Sequence, residues 1–324
     1  MKLHSLSISG NLIMNMHALN NEGSEGNTTM TRMVEIVDNQ GRNHTVNAVS
    51  GDMFKHMQAQ HLYMEAIAKN DTLPLCEGCK KFDANRICID DSFTKRENFT
   101  KDTKDTKDSE ILSEVIKTCV IDDIEGILIT NDIGKKRSIG RKSAIEFGWV
   151  IGSPESTRTE SYFHVKFVPD RGKGSGSGEN LGQNIFHRPA SSGQYAAVVN
   201  IDLYRVGRND ITVEYVKKIN RKARLQALLK SVLHTFIKPT GAHRNTQHPH
   251  IIDFSGVISA SLNTMPAPII SSLNPNYKDE IVKIADSLNS TETVKPITVY
   301  QFESMAGFTK TMAEIINSIE PYGD

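Results

Sequence analysis

The sequence lacks the features that mark secreted, membrane-embedded or strongly charged proteins. It contains 4 cysteines in 324 residues, 6% aromatic residues and a single tryptophan. Its 38 basic side chains are balanced by 38 acidic ones, so the formal net charge is zero. So few cysteines exclude a disulfide-stabilised secreted scaffold. Because the charges balance, any site for a polyanion has to be a local cluster of basic residues.

Two further kinds of feature are absent from the sequence, and their absence narrows the class of protein. No stretch approaches the roughly 18 consecutive apolar residues of a membrane span, and MKLHSLSISG at the start has no apolar core behind its basic residue. The signatures GxSxG, GxxxxGK[ST], HExxH and GxGxxG, which mark common hydrolases, NTPases, zinc proteases and dinucleotide enzymes, are missing as well. We therefore expect a cytoplasmic protein that does not enter a membrane and does not belong to these enzyme classes, while the missing motifs leave other kinds of enzyme open.

The spacing of apolar residues predicts a mixed chain of strands and helices. Ser50 is suited to cap a helix, and the apolar residues between Leu225 and Phe236 recur at helical spacing. In chain order we predict a strand at about 2–16, a loop at 20–27, a helix at about 50–69, strands at 124–130 and 145–151, hairpin arms at 161–168 and 194–206, a helix at 225–236, strands at 251–261 and 297–302, and a closing helix near 308–316. This order suggests an α+β, RRM-like (ferredoxin-like) sheet with insertions.

Two segments have compositions that cannot build a core. Residues 93–109 are almost devoid of apolar side chains and contain a short Lys-Asp-Thr repeat, which predicts a mobile loop. Residues 171–183, RGKGSGSGENLGQ, are rich in glycine and serine and predict a flexible tip between the two hairpin arms. We expect this hairpin to protrude from the sheet.

Three places could bind a polyanion. The segment 135–142 holds five basic residues and no acid, although a solvated hairpin tip would look the same. The start of the helix at 50–69 offers free backbone N–H groups beside Lys55, His56 and Gln58, which could equally be ordinary surface residues or a partly buried histidine. The loop at 241–245 is small and rich in donors, as would also suit a helix-ending turn.

The cysteines offer a second kind of site. Cys76 and Cys79 form a CxxC pair, and Cys88 and Cys119 could complete four thiolate ligands for a structural zinc ion. The simpler alternative is a set of buried thiols, since the second pair lacks CxxC spacing. We expect no other cofactor.

Three motifs in order resemble a known family. They are SISGNLIMNMHALNNEGSEGN, VSGDMFKHMQAQHL, and CVIDDIEGILIT with the basic segment GKKRS after it. The sequence resembles the DevR autoregulator branch of the CRISPR-associated backbone proteins, found in type I-B and I-A Cascade complexes. The resemblance extends over most of the chain.

The resemblance implies a right-hand shape and a set of RNA contacts. It implies an RRM-like palm (1–70 and 200–324), a fingers insertion (71–152) and a protruding thumb β-hairpin (153–199), with protein groups that contact mainly the RNA backbone. Together with the basic segment, the predicted RNA-binding residues are Asn20, Asn21, Lys55, His56, Gln58, Lys136, Arg137, Arg141, His187, Arg188, Gly241, His243 and Arg244.

The function implied is that of a guide-RNA (crRNA) binding backbone subunit of a type I CRISPR surveillance (Cascade) complex in antiviral defence. Its partners would be the guide RNA, the target DNA strand by way of the guide, other copies of itself, and the large, small and guide-end capping subunits. Two alternatives stay open. One is a type III-like subunit that cuts target RNA with a divalent metal at Glu22 or Glu25, and the other is a nucleic-acid-binding autoregulator.

Overall fold

The computed structural model describes residues 1–96, 107–130, 138–167, 183–241 and 244–323. The strands are β1 (Ser5–His17), β2 (Asn21–Glu25), β3 (Thr28–Thr31), β4 (Met33–Val37), β5 (Asn43–Val49), β6 (Ile127–Thr130), β7 (Ser138–Arg141), β8 (Ile145–Phe147), β9 (Val150–Gly152), β10 (Arg158–Phe167), β11 (Gln183–Ile201), β12 (His250–Ser261) and β13 (Ile297–Phe302). The helices are α1 (Gly51–Ala68), α2 (Glu77–Lys80), α3 (Asp91–Thr94), α4 (Asp108–Thr118), α5 (Val120–Glu125), α6 (Arg221–Ile237), α7 (Tyr277–Asn289) and α8 (Met305–Ser318).

The main sheet has the strand order β13-β12-β1-β11-β9-β5-β4, and each neighbouring pair along this path is antiparallel. β1 lies near its centre, where Leu6 is opposite Ala260 of β12 on one side and Ile201 of β11 on the other. β6 and β7 form a separate pair. The predicted mixture of helices with an antiparallel sheet is confirmed, whereas the RRM-like description and the domain boundaries stay predictions.

One face of the sheet is covered by α1, α6 and α8. The rings of Phe236 and Phe254 stack with centroids 4.5 Å apart, and Phe308 meets Phe254 edge-on at 4.9 Å. Phe54 of α1 and Phe302 of β13 extend this aromatic cluster. The sequence supplies these rings at the inward positions of each element, so these strands and helices pack around one shared cluster.

The opposite face of β1 is covered by residues 267–272. Ser7 Oγ donates to the Ala267 carbonyl at 3.2 Å, and Ser9 Oγ accepts from the Ile270 N–H at 3.2 Å. Ser272 Oγ donates to the Gly10 carbonyl at 2.8 Å. The alternation of serine with apolar residues in β1 therefore places polar groups where this segment can bond them, and both Ser7 and Ser9 are buried.

Several predicted elements match the structure closely. Ser50 is the N-cap of α1, and its hydroxyl accepts from the Met53 N–H at 3.2 Å. The long hairpin is confirmed as β10 and β11, although its returning arm begins at residue 183 and not at 194. The loop predicted at 20–27 is wrong, because most of it forms β2 and the turn into β3. The Lys-Asp-Thr repeat at 101–106 and the glycine-rich tip up to 182 lie outside the described residues.

His17, at the end of β1, is expected to make stability depend on pH. Its ring is buried against Tyr195, with centroids 5.0 Å apart, and neither ring nitrogen has a hydrogen-bond partner among the described residues. Burial lowers the pKa of His17 from 6.5 to about 4. As the pH falls, His17 therefore takes up a proton at a higher pH in the unfolded chain than in the folded chain. Its contribution to stability is complete above the unfolded pKa and is lost as the pH falls from the unfolded pKa to the folded pKa. The shift corresponds to about 3 kcal/mol.

The measurement is urea denaturation between these two pKa values. His17→Phe should remove this part of the pH dependence because the aromatic packing stays and the titrating group is gone. His248→Phe, at an exposed position, should leave it in place. Equal pH dependence in wild type and His17→Phe would show that His17 does not titrate in this way.

Candidate nucleic-acid interface

Asn20 lies three residues after the end of β1 and has a structural role. Its side-chain Oδ1 accepts the Ser50 N–H at 2.8 Å, and its carbonyl accepts the Arg32 N–H at 3.1 Å. Asn20 is 7% exposed. It therefore joins the end of β1 to the cap of α1, and the prediction that its side chain contacts RNA is wrong because that side chain is already bonded and buried.

The segment after α6 returns to the same place. Gly241 is buried, and a Cβ at this position would lie 2.9 Å from Leu19 Cδ2 and 3.5 Å from Met57 Sδ. His61 Nε2 donates to the Lys238 carbonyl at 2.9 Å, which ties α1 to the end of α6. Gly241 thus lies in close contact with Leu19 after β1 and Met57 of α1, and its burial argues against the predicted direct contact with RNA.

The returning arm of the hairpin completes this region. Arg188 Nη1 donates to Thr246 Oγ1 at 3.3 Å, and Gln247 Nε2 donates to the Pro189 carbonyl at 2.9 Å. The loop after α6 therefore lies against β11. We call the half-buried or exposed polar residues that meet here the β1-end surface, which consists of Asn21, His61, Arg188, Lys238 and Arg244.

The β1-end surface is basic. The pKa of His61 is lowered, mainly by burial, and the positive charges of His234, Lys238 and Arg244 act in the same direction against the hydrogen bond to the Lys238 carbonyl. Asn21 contributes a side-chain amide whose two polar atoms are buried without a partner among the described residues. The clustered cations suit the oxygen atoms of a phosphate backbone.

Lys55 lies on a different flank of α1 from the β1-end surface. Six residues separate it from His61, and at about 100° per residue their side chains point roughly 120° apart around the helix. Lys55 lines a cleft of about 290 Å³ together with His56, Phe82, Arg86 and Glu125, and no residue of the β1-end surface lines it. We call this the α1 cleft. Lys55 therefore lies apart from the β1-end surface.

The charges of the α1 cleft oppose one another. Burial lowers the pKa of Lys55, while the negative charge of Glu125 acts the other way. Burial also raises the pKa of Glu125 to about 7, and its two oxygens have no hydrogen-bond partner among the described residues. His56 is exposed, with its ring 5.6 Å from that of Phe82. Because Glu125 lies within it, the α1 cleft is less suited to bind an anion than the β1-end surface is.

Two predicted RNA-binding residues are buried and bonded elsewhere. Gln58 has no exposed surface, and its Nε2 donates to Ser231 Oγ at 2.8 Å between α1 and α6. The side chain of Arg141 is fully buried and pairs with Asp123 at 2.7 Å and Asp210 at 3.1 Å. Neither group can reach a phosphate, so both predictions are contradicted.

The remaining predicted residues fall into two sets. His187 is half-buried in β11, where its N–H donates to the Asn27 carbonyl at 2.8 Å and its ring lies 5.7 Å from that of Phe163. Lys136, Arg137 and His243 lie outside the described residues. Lys238 and His61 are the members of the β1-end surface that sequence reasoning missed. The signal for Lys238 was its position at the end of an amphipathic helix.

Among the residues that the structure describes, metal-ligating groups do not gather around the acids of the β2 segment. Glu22 forms an ion pair with Arg32, and Glu25 is exposed. Within the described ranges, the group of side chains placed to hold a metal consists of Cys76, Cys79, Cys119 and Asp122. Cys88 is not part of it, so the predicted set of four cysteines is corrected, with Asp122 in place of Cys88.

In the part of the chain that the structure describes, no helix is both long enough and apolar enough to cross a bilayer.

The fold of the chain is similar to that of chains in solved structures. It is similar to a chain of a structure described as "CRISPR RNA-guided surveillance complex", with a TM-score of 0.50 and 11% sequence identity over 97% of this chain and 99% of that one. A structure described as "CRISPR RNA-guided surveillance complex, pre-nicking" gives a TM-score of 0.49 and 11% identity over 96% of this chain and 99% of that one. At this identity the likeness is one of fold.

The family follows from the sequence itself. Residues 8–282 match the family described as "CRISPR-associated negative auto-regulator DevR/Csa2". The chain belongs to this family, as the three motifs predicted. No curated protein matches it.

Proposed function

We propose that this chain is a guide-RNA (crRNA) binding backbone subunit that oligomerises along the RNA in a type I CRISPR surveillance (Cascade) complex. The observation that supports this best is the family match over residues 8–282, which includes the segments that form the β1-end surface. Copies arranged along the guide would leave its bases free to pair with target DNA, so that base pairing reads the sequence and protein supplies shape and charge.

The β1-end surface supports recognition of the RNA backbone over its bases. It offers Arg188, Lys238 and Arg244 as cations, and such groups bind phosphate oxygens. The outer face of β1 is covered at Ser7 and Ser9 by residues 267–272. Bases therefore have no open aromatic platform on this strand, which favours contacts that do not depend on sequence.

The balanced charge of the chain suits the proposed assembly. With 38 basic and 38 acidic side chains, neighbouring copies would not repel each other as strongly basic subunits would. The other partners in this proposal are the large, small and guide-end capping subunits. The proposed role requires no bond breaking, and the pairing of Glu22 with Arg32 agrees with it because a carboxylate paired with a cation is a poor metal ligand.

The double variant Lys238→Ala/Arg244→Ala is expected to weaken binding of a repeat-derived guide RNA and to flatten its salt dependence. Each lost phosphate contact on a single strand removes about 0.7 from the slope of log K against log salt, so the double variant should lose about 1.4. Fluorescence anisotropy at several salt concentrations measures both quantities. Lys55→Ala should have a smaller effect, since Glu125 shares its cleft.

The matched control is Lys80→Ala/Lys95→Ala. It also removes two positive charges, but these belong to exposed ion pairs. Lys80 pairs with Glu77 on α2, and Lys95, next to α3, pairs with Asp91. Its affinity and slope should stay close to wild type. If both double variants weaken binding equally, the β1-end surface is not the RNA site. If wild type stays monomeric and ignores the transcript at low salt, the proposed function is wrong.

A second candidate function follows from the family description, which includes the words "negative auto-regulator". In that role the chain would bind nucleic acid as a regulator of its own expression. Co-purification separates the two, because a backbone subunit brings down guide RNA in long stoichiometric arrays, whereas a regulator is recovered as a small oligomer on duplex DNA. For the cleaving alternative, metal-dependent cutting of target RNA by wild type and its loss in Glu22→Ala would overturn the non-enzymatic proposal.

A further inference from the structure

Three cysteines and an aspartate converge in the interior between α1 and α5. The sulfur atoms of Cys76, Cys79 and Cys119 and a carboxylate oxygen of Asp122 all lie within 4.8 Å of one another. The four residues are between 0% and 1% exposed. They come from two segments of the chain that are separated by about forty residues in sequence, so the fold assembles the group.

Local structure aims the four side chains at one point. Cys76 is the N-cap of α2 and Cys79 lies in its only turn, while Cys119 precedes α5 and Asp122 lies in the first turn of that helix. The Val120 N–H donates to the Pro74 carbonyl at 2.9 Å and holds the two segments side by side. Gly78 is needed between the paired cysteines because a Cβ there would collide with the Arg86 carbonyl.

The contacts within the group favour charged ligands. The Cys79 N–H donates to Cys76 Sγ at 3.3 Å, a bond that stabilises a thiolate more than a thiol. Cys76 Sγ lies 3.5 Å from Asp122 Oδ2, and Cys79 Sγ lies 4.0 Å from Asp122 Oδ1. Thiol donors at these distances are weak, so they compensate poorly for the burial of a carboxylate.

Asp123, the next residue, shows what a compensated buried carboxylate looks like. It forms ion pairs with Arg141 at 2.7 Å and Arg224 at 2.8 Å. Among the described residues, no ion pair of this kind reaches Asp122. The guanidinium of Arg86 acts on Asp122 electrostatically but donates its hydrogen bond to the Gly126 carbonyl. Asp122 is therefore a buried acid of α5 that has no ion pair among the described residues.

We propose that Cys76, Cys79, Cys119 and Asp122 bind one structural zinc ion. Three thiolates and one carboxylate oxygen match the preference of zinc for sulfur with nitrogen or oxygen, and they disfavour magnesium and calcium, which take oxygen ligands. Zinc–sulfur bonds of about 2.3 Å in a tetrahedron place sulfur atoms roughly 3.8 Å apart. The observed limit of 4.8 Å therefore requires only a small contraction of side chains that are already gathered.

The ion would be structural because the site is closed. All four ligands come from the chain and are buried, so no coordination position faces solvent, as a catalytic zinc would need. The ion would hold the segment that follows α1 against α5. It would also cross-link Cys79 to Cys119 and so restrain the chain between them. Binding releases the protons of the thiols to water.

The test measures zinc in the RNA-free full chain, purified without chelators, by inductively coupled plasma mass spectrometry. One zinc per chain is expected in wild type. Cys119→Ser and Asp122→Asn should lower the zinc content and the melting temperature, whereas Cys88→Ser, the matched cysteine outside the group, should retain both. Chelation of wild type should lower its melting temperature toward that of Cys119→Ser.

Cobalt substitution gives a second readout, which keeps the proposal testable if a variant fails to fold. Cobalt bound by thiolates gives sulfur-to-metal charge-transfer bands, which wild type and Cys88→Ser should show and which Asp122→Asn should shift if the carboxylate is a ligand. Metal-free wild type with reduced thiols, or with a Cys76–Cys79 disulfide by mass spectrometry, would overturn the proposal. So would equal zinc in wild type and Cys119→Ser. None of these readouts involves guide RNA, so their failure leaves the proposed function standing.

Discussion

Replacement of Asp123 by alanine is expected to lower the free energy of unfolding by about 3–5 kcal/mol. The carboxylate of Asp123 is fully buried, where it pairs with Arg141 and Arg224, and it also accepts the Gly207 N–H at 3.1 Å. Its removal would leave two buried guanidinium groups without their shared anion. Urea denaturation followed by circular dichroism measures the loss.

Asp91→Ala is the control for this prediction. Asp91 pairs with Lys95 at 2.7 Å, but both side chains are more than 70% exposed. Such a surface pair contributes at most about 1 kcal/mol. A loss in Asp123→Ala as small as that in Asp91→Ala would mean that the buried network does not hold α5, α6 and β7 together.

Phe254→Ala is expected to destabilise the fold by a similar amount, about 3–5 kcal/mol, because it opens a cavity at the centre of the aromatic cluster. Phe254 is fully buried and contacts the rings of Phe236, Phe302 and Phe308. It is therefore the residue through which β12, β13, α6 and α8 share their packing. The same denaturation experiment measures the effect.

Ile252→Ala serves as its control, since Ile252 lies two residues away on the same strand and is 61% exposed. It should change stability by less than about 0.5 kcal/mol. Equal losses at the two positions would indicate that strand propensity at β12, and not the aromatic cluster, sets the stability.

Elements whose signals are local could be predicted from the sequence. α1 has a serine cap followed by apolar residues at helical spacing, and α6 carries a continuous apolar face, so neighbouring residues suffice to define them. α7 was missed although Tyr277, Ile281 and Ala285 recur every fourth residue and are buried. The polar residues between them hid this narrow apolar stripe.

Candidate site residues were harder to predict, because burial depends on distant partners. Arg141 stands in a dense basic segment, and only the fold shows that Asp123 and Asp210 enclose it. Gln58 could have been recognised, since it lies four residues after Phe54 and four before Leu62 and so falls on the apolar face of α1. Asp122 could have been recognised as a member of the cysteine group only from two signals taken together. These are its spacing of one helical turn from Cys119 and the distant CxxC pair.

β11 belongs both to the long hairpin with β10 and to the central sheet. Residues 183–192 pair with β10, and from Ser191 onward the strand also pairs with β1. At Gly193, φ is +152° and the register with β1 shifts nearby, so this is the point where the strand can bend. Arg188 of the β1-end surface lies in the part of β11 that pairs with β10. A molecule that displaces this hairpin would therefore also move Arg188, because both belong to one strand.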